Sequence, residues 1–64
     1  MATKSKAKRW AVHNADLYKE DFCIVQVENG QWMCEKVAFA KTHPRYQGRP
    51  IEVVNPQGEW RGAI

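Results

Sequence analysis

The chain has no long apolar run and very little cysteine. Across its 64 residues no apolar segment approaches the roughly 18–20 residues that a membrane span requires. No apolar stretch follows the basic N-terminus either, so we expect no secretion signal. The absence of a membrane span and of a secretion signal predicts a soluble, cytoplasmic protein in which Cys23 and Cys34 are free thiols.

The sequence also lacks the spacings that carry metal, phosphate or catalytic chemistry. The candidate metal ligands are Cys23, Cys34, His13 and His43, and no CxxC or HxxxH pair occurs among them. No glycine-rich phosphate loop is present, because the four glycines fall at turns and near the C-terminus. A chain this short has few residues to line a pocket that excludes water. We therefore expect no metal, no cofactor and no enzymatic activity.

Positive charge is concentrated in two segments that contain no acidic residue. Its carriers are Lys4, Lys6, Lys8 and Arg9 in the first nine residues, and Lys41, Arg45 and Arg49 in residues 41–50, called here the basic loop. The other three cations stand against seven acids. The net charge of +3 is therefore the sum of two basic segments and a rest of the chain that is acidic, called here the acidic remainder. Cations without acidic neighbours are what a phosphate backbone attracts.

One aromatic side chain completes the predicted binding site. Tyr46 lies between Arg45 and Arg49, where an exposed ring would stack on a base. The predicted nucleic-acid-binding residues are Lys4, Lys6, Lys8, Arg9, Lys41, Arg45, Tyr46 and Arg49. In the alternative interpretation, Tyr46 packs into the fold and Arg45 pairs with the acidic remainder. The leading hypothesis is a non-enzymatic module that binds nucleic acid with weak sequence specificity.

A protein-interaction module is the second hypothesis. Three tryptophans are many for so short a chain, and one left outside the core would be a binding hot spot. Met33 on a solvated sheet face would extend such a patch. This hypothesis covers a small phage-type or regulatory inhibitor or adaptor of a larger cytoplasmic complex, and also a small homo-oligomer formed edge to edge. An acidic protein surface would attract the two basic segments as phosphate does.

The strongest structural signal is a hairpin in the segment DFCIVQVENGQWMCEKVAF. Asn29 and Gly30 predict a two-residue type I′ turn, which pairs Val27 with Trp32. The same register pairs Val25 with Cys34. The apolar face predicted from it contains Cys23, Val25, Val27, Trp32 and Cys34. The opposite face would be solvated, as in an antiparallel sheet covered on one side.

A second hairpin is predicted around the segment NPQG. A two-residue loop would pair Val53 with Trp60, whereas a glycine bulge would shift the pairing by one residue, and the sequence leaves both open. Residues 35–43 also allow two interpretations. They continue the preceding strand or, because they contain good helix formers, begin a helix.

These signals predict a small all-β fold of about five strands. The segment ENGQWMCEKV resembles the hairpin of SH3-like and Tudor-like barrels, and the resemblance implies a small antiparallel SH3-like barrel or a bent meander. Residues 1–9 are predicted to be a disordered basic tail, and residues 10–64 a single small β domain that begins with a strand in WAVHN. The expected core is Trp10, Val12, Val25, Val27, Trp32, Cys34, Val53 and Trp60.

Overall fold

The structure, a computed structural model, describes residues 3–62 as a four-stranded antiparallel sheet with a helix against each face. The helices are α1 (Lys4–Tyr18) and α2 (Val37–Thr42), and a short 3₁₀ turn follows at Pro44–Tyr46. The strands are β1 (Phe22–Gln26), β2 (Trp32–Lys36), β3 (Ile51–Val54) and β4 (Trp60–Arg61). They lie in the order β2-β1-β3-β4. The fold is built on an antiparallel sheet, as predicted, but two helices accompany it. The sheet has two open edges, so the predicted closed barrel is wrong.

For residues 3–9 the predicted disordered tail is wrong, because α1 begins at Lys4. Residues 1 and 2 of that predicted tail lie outside the described residues. The hydroxyl of Thr3 caps the helix by accepting a hydrogen bond from the Lys6 backbone N–H over 3.3 Å. Ala7, Ala11 and Ala15 recur every four residues and are fully buried against the sheet. Small side chains let the helix approach the strands closely. The same helix replaces the strand predicted in WAVHN.

The first hairpin was located correctly, but its predicted register is wrong by one residue. Val27 donates to the Gln31 carbonyl over 2.9 Å, and Gly30 donates to the Val27 carbonyl over 2.9 Å. The loop therefore has three residues, with Gly30 in the left-handed region at a φ of 84°. In this register Val25 pairs with Met33.

That one-residue shift moves side chains to the other face of the sheet. Ile24 pairs with Cys34, and both side chains lie on the face covered by α1. Val25 and Val27 lie on the face covered by α2. The apolar face predicted from the two-residue turn is therefore divided between two cores, and neither sheet face is solvated along β1.

The second hairpin repeats the geometry of the first. Gly58 has a φ of 83°, and Asn55 donates to the Glu59 carbonyl over 3.0 Å. Val54 therefore pairs with Trp60 and Val53 with Arg61. Of the two registers that the sequence left open, this is the one shifted by a glycine bulge.

A separate apolar core lies on each face of the sheet. The core under α1 contains Ala7, Ala11, Ala15, Phe22, Ile24 and Val54, with Trp32, Cys34 and Trp60 half-buried around it. The core under α2 contains Cys23, Val25, Val27, Ala40, Tyr46, Ile51 and Val53, with Met33 and Val37 half-buried against it. The predicted burial of Val25, Val27 and Val53 is confirmed, whereas Trp10 and Val12 are exposed on α1.

Both interpretations of residues 35–43 hold for part of the segment. β2 continues to Lys36, and α2 occupies the six residues that follow. Among the helices in residues 3–62, none combines the length and apolarity needed to cross a membrane.

Candidate nucleic-acid interface

The arginines of the basic loop are held against the first hairpin. Arg45 Nη2 lies 3.4 Å from Glu28 Oε1, and Arg49 Nη2 lies 3.6 Å from Glu28 Oε2. Arg49 Nη1 also donates to the Gln26 carbonyl over 2.9 Å. The pKa of Glu28 is lowered, first by a hydrogen bond from its own backbone and then by the two guanidinium groups. Two predicted phosphate ligands therefore already share an anionic partner.

Tyr46 lies in the core under α2 and does not present its ring to solvent. The side chain is 4% exposed, and its hydroxyl donates to Glu35 Oε2 over 2.6 Å. Phe39 and His43 pack against the ring, with centroids at 6.3 and 5.4 Å. The predicted base stacking needs an exposed ring, so Tyr46 does not fill that role in this fold. The alternative interpretation, in which Tyr46 packs inward and Arg45 is ion-paired, describes what is observed.

The Tyr46 hydroxyl makes the stability of the fold sensitive to alkaline pH. Burial first, and then the hydrogen bond to the Glu35 carboxylate, raise the pKa of Tyr46 to about 12. In the unfolded chain the phenol ionises near its ordinary pKa of about 10. The phenol therefore contributes stability that is fully present below about pH 10 and is lost as the pH rises towards 12.

We expect Tyr46→Phe to remove part of that alkaline loss. Urea denaturation of both proteins at a series of pH values up to 12 would measure it. The free energy of unfolding of the parent should fall more steeply above pH 10 than that of the variant. Tyr18→Phe, at a tyrosine that is 55% exposed, is the control and should keep the parent's slope. Equal slopes for the parent and Tyr46→Phe would contradict the assignment.

The cations at the start of α1 are held differently from those of the basic loop. Lys4 Nζ lies 2.8 Å from Glu52 Oε2 and also sits over the Trp32 ring, 5.2 Å from its centroid. Lys8 Nζ lies over the Trp60 ring at 4.9 Å. Within residues 3–62, no carboxylate is at ion-pair distance from Lys6, Lys8 or Arg9. These three side chains are called here the α1 basic patch.

The acidic residues of the described chain are all engaged elsewhere. Five of the seven carboxylates form ion pairs, made by Asp16, Glu20, Asp21, Glu28 and Glu52. The other two, Glu35 and Glu59, accept hydrogen bonds from Tyr46 and Asn55. Besides the α1 basic patch, Lys41 is the one cation in residues 3–62 without an ion pair. Folding therefore concentrates the excess positive charge on the first two turns of α1.

The helix itself adds to this positive potential. The first turn of α1 contains no acid, and the N-terminal end of a helix carries a partial positive charge. Lys4 and Lys6, in that first turn, oppose the helix dipole at a cost of about 0.3–1 kcal/mol each at low salt. A bound anion would relieve that repulsion.

An exposed aromatic side chain borders the patch. Trp10 is 50% exposed, and His13 packs edge-on against it with centroids 6.4 Å apart. Together with Lys6 and Arg9 they line a shallow depression on the outer side of α1. Trp10 belongs to the core predicted from the sequence, and His13 is not among the predicted nucleic-acid-binding residues. Trp10 stands four residues after Lys6, and His13 four residues after Arg9, a spacing that indicates a shared surface only once the segment is known to be helical.

The two thiols lie on opposite faces of the sheet, which corrects the prediction that they share one. Cys23 is in the core under α2, and Cys34 borders the core under α1. Burial, followed by the charges of Cys34 and Glu35, raises the pKa of Cys23 to about 11. Burial also raises the pKa of Cys34, against a hydrogen bond from Asn14 that lowers it. Across residues 3–62, no group of three or more His, Cys, Asp or Glu side chains is arranged to hold a metal ion.

We expect Cys23 to be nearly inert to alkylation in the folded protein. The reactive species is the thiolate, and at pH 8 a thiol with a pKa near 11 is almost entirely protonated. Mass spectrometry after treatment with iodoacetamide should show slow labelling of Cys23 in buffer and rapid labelling in denaturant. Equal rates in the two conditions would show that Cys23 is not buried as described.

No protein-family model matches the chain, and neither a curated protein nor a solved structure matches it.

Proposed function

We propose that this protein is a non-enzymatic module that binds nucleic acid, with weak sequence specificity, through the α1 basic patch. The supporting observation is the segregation of charge. The carboxylates have partners, and three of the four cations without an ion pair in residues 3–62 lie within two turns of one helix. The phosphate backbone of nucleic acid is an anionic ligand that such a surface attracts.

The arrangement of the patch suits a phosphate backbone. Arg9 lies on the outer side of α1, with Lys6 towards one flank and Lys8 towards the other, because successive helical residues are about 100° apart. Contacts from such side chains position a protein on nucleic acid without reading the bases. Trp10 beside them offers an exposed ring for stacking on an unpaired base. Lys4 is adjacent, but its ion pair with Glu52 makes it a weaker contributor.

Fluorescence anisotropy with labelled duplex DNA, single-stranded DNA and RNA would test this proposal. Three phosphate contacts predict that the logarithm of the binding constant for duplex falls with the logarithm of salt concentration with a slope of about −3. Scrambled sequences should bind almost equally well. Binding no tighter than that of an unstructured peptide with the sequence of residues 3–12 would overturn the proposal.

A protein-interaction module is the second candidate, and large exposed apolar side chains favour it. Trp10, Leu17 and Phe39 are 50%, 60% and 45% exposed. Exposed aromatics of this size are typical anchors of protein interfaces. A competition experiment separates the two candidate functions: nucleic acid is added to a complex of this protein with a captured protein partner. If the partner stays bound through Trp10 when nucleic acid is saturating, the protein-interaction function is favoured.

A further inference from the structure

The sheet is open along the outer side of β2. This strand lies at one edge of the sheet, and the opposite edge strand, β4, has only two residues. Val27 donates to the Gln31 carbonyl, and bonded and non-bonded pairs alternate along an antiparallel ladder. The backbone N–H and C=O groups of Trp32, Cys34 and Lys36 therefore point away from β1. Within residues 3–62, no strand pairs with them.

Exposed apolar side chains of α1 lie beside this open edge. Asn14 Nδ2 is 3.9 Å from Cys34 Sγ, which marks the flank of α1 that lies over β2. Trp10 and Leu17 stand four residues before and three residues after Asn14, so they share that flank. Lys8, which reaches the Trp60 ring on β4, marks the other flank. The unpaired strand edge and the exposed apolar stripe thus form one continuous surface.

We propose that a second copy of this chain occupies this surface, with the two β2 strands paired antiparallel about a twofold axis at Cys34. Full overlap of the two strands sets Trp32 opposite Lys36 of the other copy and Met33 opposite Glu35. No like charges then face each other across the new ladder, which is a condition for stable strand pairing. The result is a continuous sheet of eight strands.

The position of α1 fits this arrangement. The helix packs chiefly on β1 and β2. Neighbouring strands are about 4.8 Å apart. A helix seated between β1 and β2 would therefore lie about 10 Å from its symmetry mate, a distance at which helices pack. The two helices run antiparallel, so Trp10 of each copy lies near Leu17 of the other.

The exposed side chains of α1 favour a second copy over an unrelated extended peptide. A second copy pairs with the edge of β2 and also brings its own α1 against Trp10 and Leu17. An added peptide strand would satisfy the edge of β2 but would leave Trp10 and Leu17 exposed. Arg9 and Lys8 point away from the neighbouring helix, so the dimer carries two sets of phosphate-binding cations on one face. The neighbouring helix covers Trp10, so the dimer would contact nucleic acid through its cations and not by stacking on that ring. Formation of the dimer does not depend on the proposed nucleic-acid binding.

Light scattering on a size-exclusion column, in the absence of nucleic acid and from micromolar to millimolar protein, tests the dimer. We expect a mass that rises towards twice 7.4 kDa with concentration. Leu17→Glu places a charge in the interface twice, so it should raise the dissociation constant at least about tenfold. Val12→Glu, at an exposed apolar residue on the other flank of α1, is the matched control and should leave it unchanged. A monomer at every concentration would overturn the proposal.

Amide hydrogen exchange measured by NMR then tests the register. In the dimer, the amides of Trp32, Cys34 and Lys36 should be protected, and in the Leu17→Glu monomer they should exchange rapidly. The amides of Met33 and Glu35, which face β1, should stay protected in both proteins and thereby report an intact fold. A dimer in which the three outward amides exchange as fast as in the monomer would use another surface and would also overturn the proposal.

Discussion

Replacing Lys6 and Arg9 together with glutamine is expected to weaken binding to duplex DNA by about 100-fold at about 0.05 M salt. Each phosphate contact releases about 0.9 of a counterion, so at that salt concentration each contact is worth a factor of about 15. The salt slope should fall at the same time, from about −3 to about −1. Anisotropy titrations of both proteins at several salt concentrations measure the two effects together.

A matched control separates the patch from the net charge. Lys19→Gln with Lys41→Gln removes the same number of cations from exposed positions outside the α1 basic patch. Long-range attraction depends on total charge and would weaken equally in both double variants. We expect the control to lose less than about threefold in affinity and to keep its salt slope. Equal losses in the two variants would mean that the patch is not the binding site.

Ala11→Leu is expected to destabilise the fold by about 3 kcal/mol. Ala11 is fully buried at the centre of the contact between α1 and the sheet, flanked one turn away on each side by Ala7 and Ala15. A leucine there forces the helix away from β1 and opens the core on both sides of it. A chain of this length has a total stability of about 3–10 kcal/mol, so the variant should lose about a third or more of it and unfold at a much lower urea concentration.

Urea denaturation followed by circular dichroism measures the effect of Ala11→Leu. Val12→Leu enlarges the neighbouring side chain, which is exposed, and should change the free energy of unfolding by less than about 0.5 kcal/mol. The contrast between adjacent positions would establish that α1 is docked through its alanines. Similar stabilities for the two variants would show that α1 does not pack as described.

The two hairpins were predictable because their turn residues are distinctive, whereas the register of the first was not. Gly30 fits a two-residue turn and also the third position of a three-residue loop, since both need a positive φ. The apolar pattern did not decide between them, because β1 is buried on both faces and its side chains do not alternate. The sequence pattern therefore allowed the Trp32 side chain to lie on either face of the sheet.

The helix α1 escaped prediction because it is held by alanines. A pattern of large apolar side chains is the usual signal of an amphipathic helix, and here Trp10, Val12 and Leu17 are the exposed residues. The position of the basic segments was evident from the sequence, but it was not evident which of their cations are free to bind a ligand. Glu28 forms an ion pair with Arg45, which lies 17 residues later in the chain, and only the folded structure reveals this contact.

The contacts of α1 also set an order of events during synthesis. Lys4 meets Glu52 on β3, and Lys8 meets Trp60 on β4, so the first turns of the helix depend on strands that are translated well after it. Until those strands have been made, α1 has only the β1–β2 hairpin to pack against. Completion of the sheet then supplies the partners of Lys4 and Lys8.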